Sequence, residues 1–417
     1  MIKTFLLLII VVVVCLSCEP DYSITDPQFN EASILNNTQP IPAEIKNRIE
    51  GVYRVVKGSG QFGDVVVAKW HNETLSVFGR NKGNCFILNS GMRDSVILFE
   101  GKWRHAVNTE TGLTRLAISK RSGIDSLLHG GDEGLVFSIF GTFGEGSEFR
   151  STELQFVYVR PFSESVKNDD FYILAHRGGG RNSDFLGASE NSLEIISHVE
   201  NFGANGIEID VMLSKDNVPF LYHDSNINLR EVQECYLMGP VEDYTIAQLK
   251  SFVKLKFGEE IPTLREALEF VLNGTGLKFV WLDMKSEKNS MPYVIEIQRD
   301  ILNRAQLMGR NLQIDVGLPT EFMLNNLLAY PDYQSVPSLC ELSLKEFNSA
   351  KSQVWAPRWT LGTYPDEVNT IHREGKKAFV WTLDQAQFIQ QFIFESEFDG
   401  ILTNYPTIVA SFYYAKE

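Results

Sequence analysis

The chain has 417 residues, a formal net charge of −15, 44% hydrophobic residues and 22% charged residues. That length exceeds what one hydrophobic core usually serves and predicts two domains, while the ordinary composition excludes a largely disordered chain. The negative charge excludes a nucleic-acid partner and a polybasic membrane patch, although a local arginine, lysine or metal can still hold an anionic substrate.

The N-terminus reads as an export signal. Lys3 precedes an unbroken apolar run of 12 residues from Phe5 to Leu16, shorter than the roughly 20 residues a spanning helix needs. The run ends at Leu16-Ser17-Cys18, which resembles the lipobox of bacterial lipoproteins, with Cys15 standing three positions before the cysteine where leucine is usual. Residues 1–18 are therefore expected to direct export, with Cys18 lipidated. The chain then belongs on a membrane, at its periplasmic or cell-surface face. Of the five cysteines, Cys85, Cys235 and Cys340 remain, odd in number and far apart, with no disulfide framework or zinc spacing. Residues 19–48 are polar with scattered prolines and read as a tether.

From 49 to 160 the pattern is short β-type runs separated by glycine and asparagine. They include GVYRVV at 51–56, DVVVAKW at 64–70, TLSVFG at 74–79, SVILFEGKW at 95–103 and ELQFVYV at 153–159. About eight strands at that spacing predict a small all-β domain, a barrel or a sandwich. His71, His105 and His129 lie far apart there without acidic or glycine-rich context. They read as surface or packing residues, and no chemistry is assigned to this domain.

After a plausible linker at 161–170, strand-like runs alternate with helical ones over 171–417. The strand candidates start at FYILA (171–175) and GIEIDV (206–211), continue through KFVWLDM (278–284) and LQIDVGL (312–318), and end at DGILTN (399–404). Eight strand–helix units in that length predict an α/β fold, a (β/α)8 TIM barrel, in preference to an open doubly wound sheet. Such barrels carry their sites at the C-terminal ends of the strands. His176 and Arg177 follow the first strand, Glu208 and Asp210 lie in the second, and Asp283 and Lys285 end the third. PFLYHD at 219–224 adds His223 and Asp224.

AHRGGG, SENSLE, GANGIEIDV and LYHD, in that order, resemble the glycerophosphodiester phosphodiesterase family. IPTLREALEFV at 261–271, AFVWTLD at 378–384 and FDGILTNYP at 398–406 extend the similarity to about 171–414. The resemblance implies a TIM-barrel enzyme that hydrolyses glycerophosphodiesters to sn-glycerol 3-phosphate and an alcohol. It also implies attack by the glycerol 2-hydroxyl through a cyclic intermediate.

The chemistry can be reasoned beside it. Cleaving a phosphodiester requires neutralising its charge, removing a proton from the attacking oxygen and protonating the leaving one. Glu208 and Asp210 are two apart on a strand and so face one side. With a third acid they offer an all-oxygen site for Ca²⁺ or Mg²⁺. By resemblance that third ligand is Asp283, where the family usually has glutamate two residues before a lysine. Arg177 and Lys285 are carried over as phosphate contacts, and His176 and His223 as the acid–base pair, because imidazole titrates near neutrality. Glu190 is either an extra metal contact or an acid at a helix N-terminus. Trp281, Trp359 and Trp381 either line a glycerol pocket or pack in the core, with Trp381 the candidate contact. The stretch GGGRNSDFLG at 178–187 is either a phosphate cradle or a lid. Two competing readings are a phospholipase acting on intact or lyso-phospholipid and a silent ligand-binding lipoprotein.

Overall fold

The described residues form two closed sheets, one antiparallel and one with eight parallel staves. The structure, a computed structural model, describes residues 26–131, 134–180 and 186–417. The expected export signal with Cys18, the start of the tether, and residues 181–185 of the glycine-rich stretch lie outside the described residues.

The first barrel comprises β1 (Gly51–Lys57), β2 (Val65–His71), β3 (Thr74–Gly79), β4 (Asn84–Arg93), β5 (Val96–His105), β6 (Thr111–Ile118), β7 (Ser138–Glu145) and β8 (Glu148–Arg160). It closes where β1 pairs with β8, placing Tyr53 opposite Tyr158 and Val55 opposite Phe156. Alternation sends Tyr53, Val66, Phe86, Trp103 and Phe156 inward. Phe62 packs against Phe86, Trp103 and Phe143 with ring centroids 4.7, 5.1 and 4.9 Å apart, so the lumen is a packed core. The outward residues Val67, Phe78 and Cys85 are buried too, because the second barrel covers them. That double burial explains why VVVAKW shows no strict polar alternation.

Part of the expected tether is not free. Gln39 pairs with Met92, Arg115 bonds Glu31 at 2.8 Å, and Ile41 is buried. Residues 26–48 thus lie along the barrel wall, held by side chains that a polar-composition argument overlooks. The linker is likewise seated, since Phe162 and Val166 are buried.

The second barrel has eight staves in the order β9 (Tyr172–Ala175), β10 (Gly206–Leu213), β12 (Phe279–Met284), β13 (Gln313–Leu318), β14 (Ser338–Cys340), β15 (Val354–Trp355), β16 (Lys377–Val380) and β17 (Gly400–Thr403), closed by β17 and β10 on either side of β9. This is the expected TIM barrel. PFLYHD does not supply a stave. β11 (Pro219–Leu221) folds back antiparallel on β10, with Val211 opposite Leu221 and Leu213 opposite Pro219. The helices after successive staves are α1 (Leu193–His198), α2 (Ile246–Phe252), α3 (Leu264–Gly274), α4 (Met291–Leu307), α5 (Glu321–Leu328), α6 (Leu344–Ala350), α7 (Pro365–Arg373), α8 (Ala386–Glu395) and α9 (Pro406–Tyr413). Thr263 and Glu266 form a capping box that starts α3. Along β10, Ile207, Ile209 and Val211 join the apolar layer under the helices, leaving Glu208 and Asp210 on the lumen side.

Every residue of α9 is buried, the hydroxyls of Thr407 and Ser411 being satisfied by the backbone carbonyls of Gly83 and Ile408. It is held between the barrels. Arg80 lies 4.4 Å from the Phe412 ring centroid, and Thr407 Oγ1 donates to Gly83 O at 3.4 Å. Gly203 has φ +86, and a Cβ there would stand 2.6 Å from Ala410 and 3.1 Å from Phe78. The interface is therefore continuous with the hydrophobic core. Phe78→Ala should cost about 3–5 kcal/mol and leave one unfolding transition for both barrels. Calorimetry with denaturant titration checks this, and two separated transitions in the wild type would contradict it.

Candidate active site

The C-terminal ends of β9, β10 and β12 bring together His176, Arg177, Glu208, Asp210, Asp283 and Lys285. Asp210 and Asp283 are direct neighbours in the parallel register. The β10–β11 hairpin explains how His223 joins them. The chain returns beside the strand, Tyr222 N donates to Asp210 O at 3.2 Å, and His223 follows.

The three acids converge so that one ligand oxygen from each lies within 4.8 Å of the others. Glu208 is 1% exposed and Asp210 is 0% exposed. Glu208 Oε1, Asp210 Oδ1 and Asp283 Oδ1 are buried without a hydrogen-bond partner among the described residues. Lys285 Nζ contacts Asp283 Oδ2 and lies 3.5 Å from Asp210 Oδ1. One ammonium therefore faces three carboxyls. Burial, then the charges of Asp210 and Asp283, push the Glu208 carboxyl well above its ordinary range. Burial raises Asp283 as well, against Lys285. For Asp210 burial is outweighed by Lys285, His223 and His176, and its pKa falls. Orphaned oxygens aimed at one point, in a site short of positive charge, fit a hard divalent cation.

Asn191 holds Asp210 from both sides, its Nδ2 donating to Asp210 Oδ2 at 2.8 Å and its Oδ1 accepting from Asp210 N at 3.1 Å. It stands at φ 57, in the left-handed region where asparagine is tolerated. Arg177, at φ 53, is strained in the same way. Its turn points its own N–H at Glu208 Oε2, 2.7 Å away, and its guanidinium at Glu190 and His223.

Both histidines tie down Nδ1 and turn Nε2 towards the acids and Arg177. His176 Nδ1 meets Asn404 Oδ1 at 2.9 Å, with Nε2 3.8 Å from Glu208 Oε2. Burial pushes its pKa below the ordinary histidine value, against Asp210. His223 Nδ1 meets Asp224 Oδ1 at 2.6 Å, and its Nε2 accepts from Arg177 Nη2 at 2.8 Å. Glu231 accepts the backbone N–H groups of His223 and Asp224 at 3.2 and 3.0 Å. Burial, with help from Glu190, pushes the Glu231 carboxyl up to about 8. His223, Asp224 and Glu231 also cluster closely, but their atoms are committed to one another, to Arg230 and to the backbone, so the group fits a cation less well.

Glu190 stands outside the acid triad. Its carboxylate takes Arg177 at 3.0 Å and Arg230 at 2.9 Å. It does not start a helix either, since Ser192 caps α1. Trp381 donates Nε1 to Ala356 O at 2.7 Å and carries Arg358 over its ring at 4.9 Å, at the top of the lumen cluster that includes Trp281 and Phe379. Trp359 packs against Phe388 on α8. Within the glycine-rich stretch, Gly179 and Gly180 allow close approach, because a Cβ would fall 2.0 Å from Ile195 Cγ1 and 2.6 Å from Asn404 O respectively.

Five site residues were not singled out from sequence. Asn191, Glu231, Glu341, Asp384 and Asn404 become visible only in space. Glu341, next after β14, has a buried Oε1 without a partner among the described residues, and burial, then Asp283, push its carboxyl well up. The signal available for Asp384 and Asn404 was their place at strand ends, in WTLD and LTN.

A family model described as "Glycerophosphoryl diester phosphodiesterase family" matches residues 176–408. A protein named glycerophosphodiester phosphodiesterase from Caldanaerobacter subterraneus is 24% identical over 243 residues, covering 56% of this chain and 94% of its own. One of the same name from Bacillus altitudinis is 30% identical over 146 residues, 34% of this chain and 56% of its own. A crystal structure of a glycerophosphodiester phosphodiesterase from Parabacteroides distasonis aligns with TM-score 0.48 and 21% identity, over 59% of this chain and 98% of its own.

Burying three acids against one lysine has a measurable cost. The folded-state pKa of Glu208 lies above its unfolded value of about 4.3. Stability from this group is therefore full below that value and is lost as pH rises through the folded pKa. In chelator, Glu208→Gln should stabilise the protein by about 1–3 kcal/mol at alkaline pH and hardly at all in acid. Thermal melts across pH check this, and a loss at alkaline pH would contradict it.

Proposed function

Since the chain belongs to the glycerophosphoryl diester phosphodiesterase family, and is by that membership an enzyme that cleaves glycerophosphodiesters, we propose that it does so with a divalent cation at Glu208, Asp210 and Asp283 and with His176 and His223 moving the protons. The observation that carries this reading is the convergence of three orphaned carboxylate oxygens beside two histidines whose Nε2 atoms face the same space. A bound Ca²⁺ or Mg²⁺ would neutralise phosphate charge and polarise a phosphoryl oxygen.

The remaining steps use the chain's own groups. Arg177 and Lys285 supply the N–H donors for the phosphate oxygens, Arg177 in a forked geometry. Both are paired with acids here, and an incoming phosphate competes for them. One histidine Nε2 takes the proton of the attacking hydroxyl as the new O–P bond forms. The other protonates the oxygen of the alcohol as its P–O bond breaks. Asp224 orients the His223 ring through Nδ1, and Glu231 fixes the backbone on which both sit. At the other end of the chain, residues 1–18 and Cys18 would place the enzyme on a membrane outside the cytoplasm.

A second reading is favoured by one observation. Leu229, Tyr236 and Met238 are 63%, 100% and 79% exposed on the excursion that follows His223. That apolar tip suits a lyso-phospholipid at a membrane surface. Rates on glycerophosphocholine and on lysophospholipid vesicles separate the two.

Two outcomes are expected. His176→Ala and His223→Ala should each lower kcat by about 10²–10⁴-fold with unchanged circular dichroism, and near-wild-type turnover in either removes that histidine from the reaction. Chelation should abolish turnover and added divalent cation restore it, with Asp283→Glu remaining active. Full activity in excess chelator would exclude the cation.

A further inference from the structure

We propose that Asp384 and Asn404 are positioning residues that set the tautomer of His176, so that Nδ1 carries the ring hydrogen and the Nε2 lone pair faces the site. The inference rests on the proton-transfer role proposed for His176. An asparagine side chain is ambidextrous, because its oxygen accepts and its nitrogen donates from nearly the same shape. Something must decide which end faces the histidine.

Asp384 decides it. A carboxylate only accepts. Its Oδ1 receives the Asn404 backbone N–H at 2.8 Å and the Thr403 hydroxyl at 3.1 Å, and its Oδ2 receives Asn404 Nδ2 at 2.8 Å. The amide nitrogen is thereby committed to Asp384, and the amide oxygen is left for His176 Nδ1 at 2.9 Å. An oxygen there makes Nδ1 the donor. The neutral ring has one hydrogen, so Nε2, 3.8 Å from Glu208 Oε2, is left with its lone pair.

The fold places the three residues in this line. His176 follows β9, Asn404 follows β17 and Asp384 lies past β16, and β17 pairs with both of the other strands. Gly180 closes over the Asn404 main chain, where a Cβ would stand 2.6 Å from its oxygen. His223 has a directly charged partner in Asp224 instead. The same tautomer is thus imposed on one ring by a carboxylate and on the other by a carboxylate acting through an amide.

Exchanging the two residues tests the proposal. Asp384→Asn leaves two ambidextrous amides in sequence, and Asn404→Asp sets two carboxylates against each other. Each should lower kcat about 10–100-fold with little change in KM. The double variant Asp384→Asn/Asn404→Asp rebuilds an acceptor-only group on Nδ1 with a donor behind it, and should return kcat to within about threefold of wild type. Nitrogen-15 NMR of the wild-type imidazole should show a protonated Nδ1 and an unprotonated Nε2 for His176, and Asp384→Asn should give a mixture. Asp384→Asn with wild-type kcat, a double variant as poor as the product of the singles, or a wild-type ring protonated at Nε2 would each overturn the proposal. The NMR result requires no turnover, so it stands apart from any failure of the hydrolase reading.

Discussion

Glu208 and Asp210, both buried, sit together with the half-buried Asp283, and Lys285 is the positive group in contact with two of the three. Like charges that close repel, and burial removes the solvent that would screen them. Much of the surrounding structure is explained by what it takes to hold them there. Asn191 adopts a left-handed backbone to bond both the carboxylate and the amide of Asp210. Arg177 does the same to aim its N–H at Glu208. The glycines beside it allow the chain to turn back over Ile195 and Asn404. The strain and the uncompensated charge belong to one site, and a divalent cation there would offset the charge.

Among the described residues the first barrel contributes no group to this chemistry, but it is bound to the part of the second barrel that carries the site. α9 leads directly from Asn404, and its eight residues are buried between the two barrels. The outward side chains of β2, β3 and β4 belong to the same apolar cluster as Ile408, Ala410 and Phe412. α9 therefore connects the antiparallel barrel, through continuous packing, to the strand that carries the partner of His176.

Much of this was legible in the sequence because strand period and strand ends are local properties. All eight β runs of 49–160 and all eight staves of the second barrel lie where short apolar runs bounded by turn residues place them. The acid pair of β10 shares a face because side chains alternate. β11 was less legible, since PFLYHD looks like any short strand, and only pairing shows that it folds back on β10. Glu190 was open between two readings in the sequence, and its pairing with Arg177 and Arg230 was not legible there. The polar stretch 26–48 looked free because contacts that seat it, such as Asn36 with Arg93 and Glu31 with Arg115, lie 57 and 84 residues away.

By itself the sequence determined the all-β class of the first domain, though not barrel against sandwich, the (β/α)8 class of the second, the strand ends on which chemistry sits, and the residue types available there, because these follow from periodicity and local motif. The tertiary structure decided which of those residues meet. Asp384, Asn404 and Glu341 are ordinary polar residues in sequence. They acquire roles because barrel closure sets distant strand ends side by side, and the direction of a hydrogen bond between two side chains is a property of that neighbourhood alone.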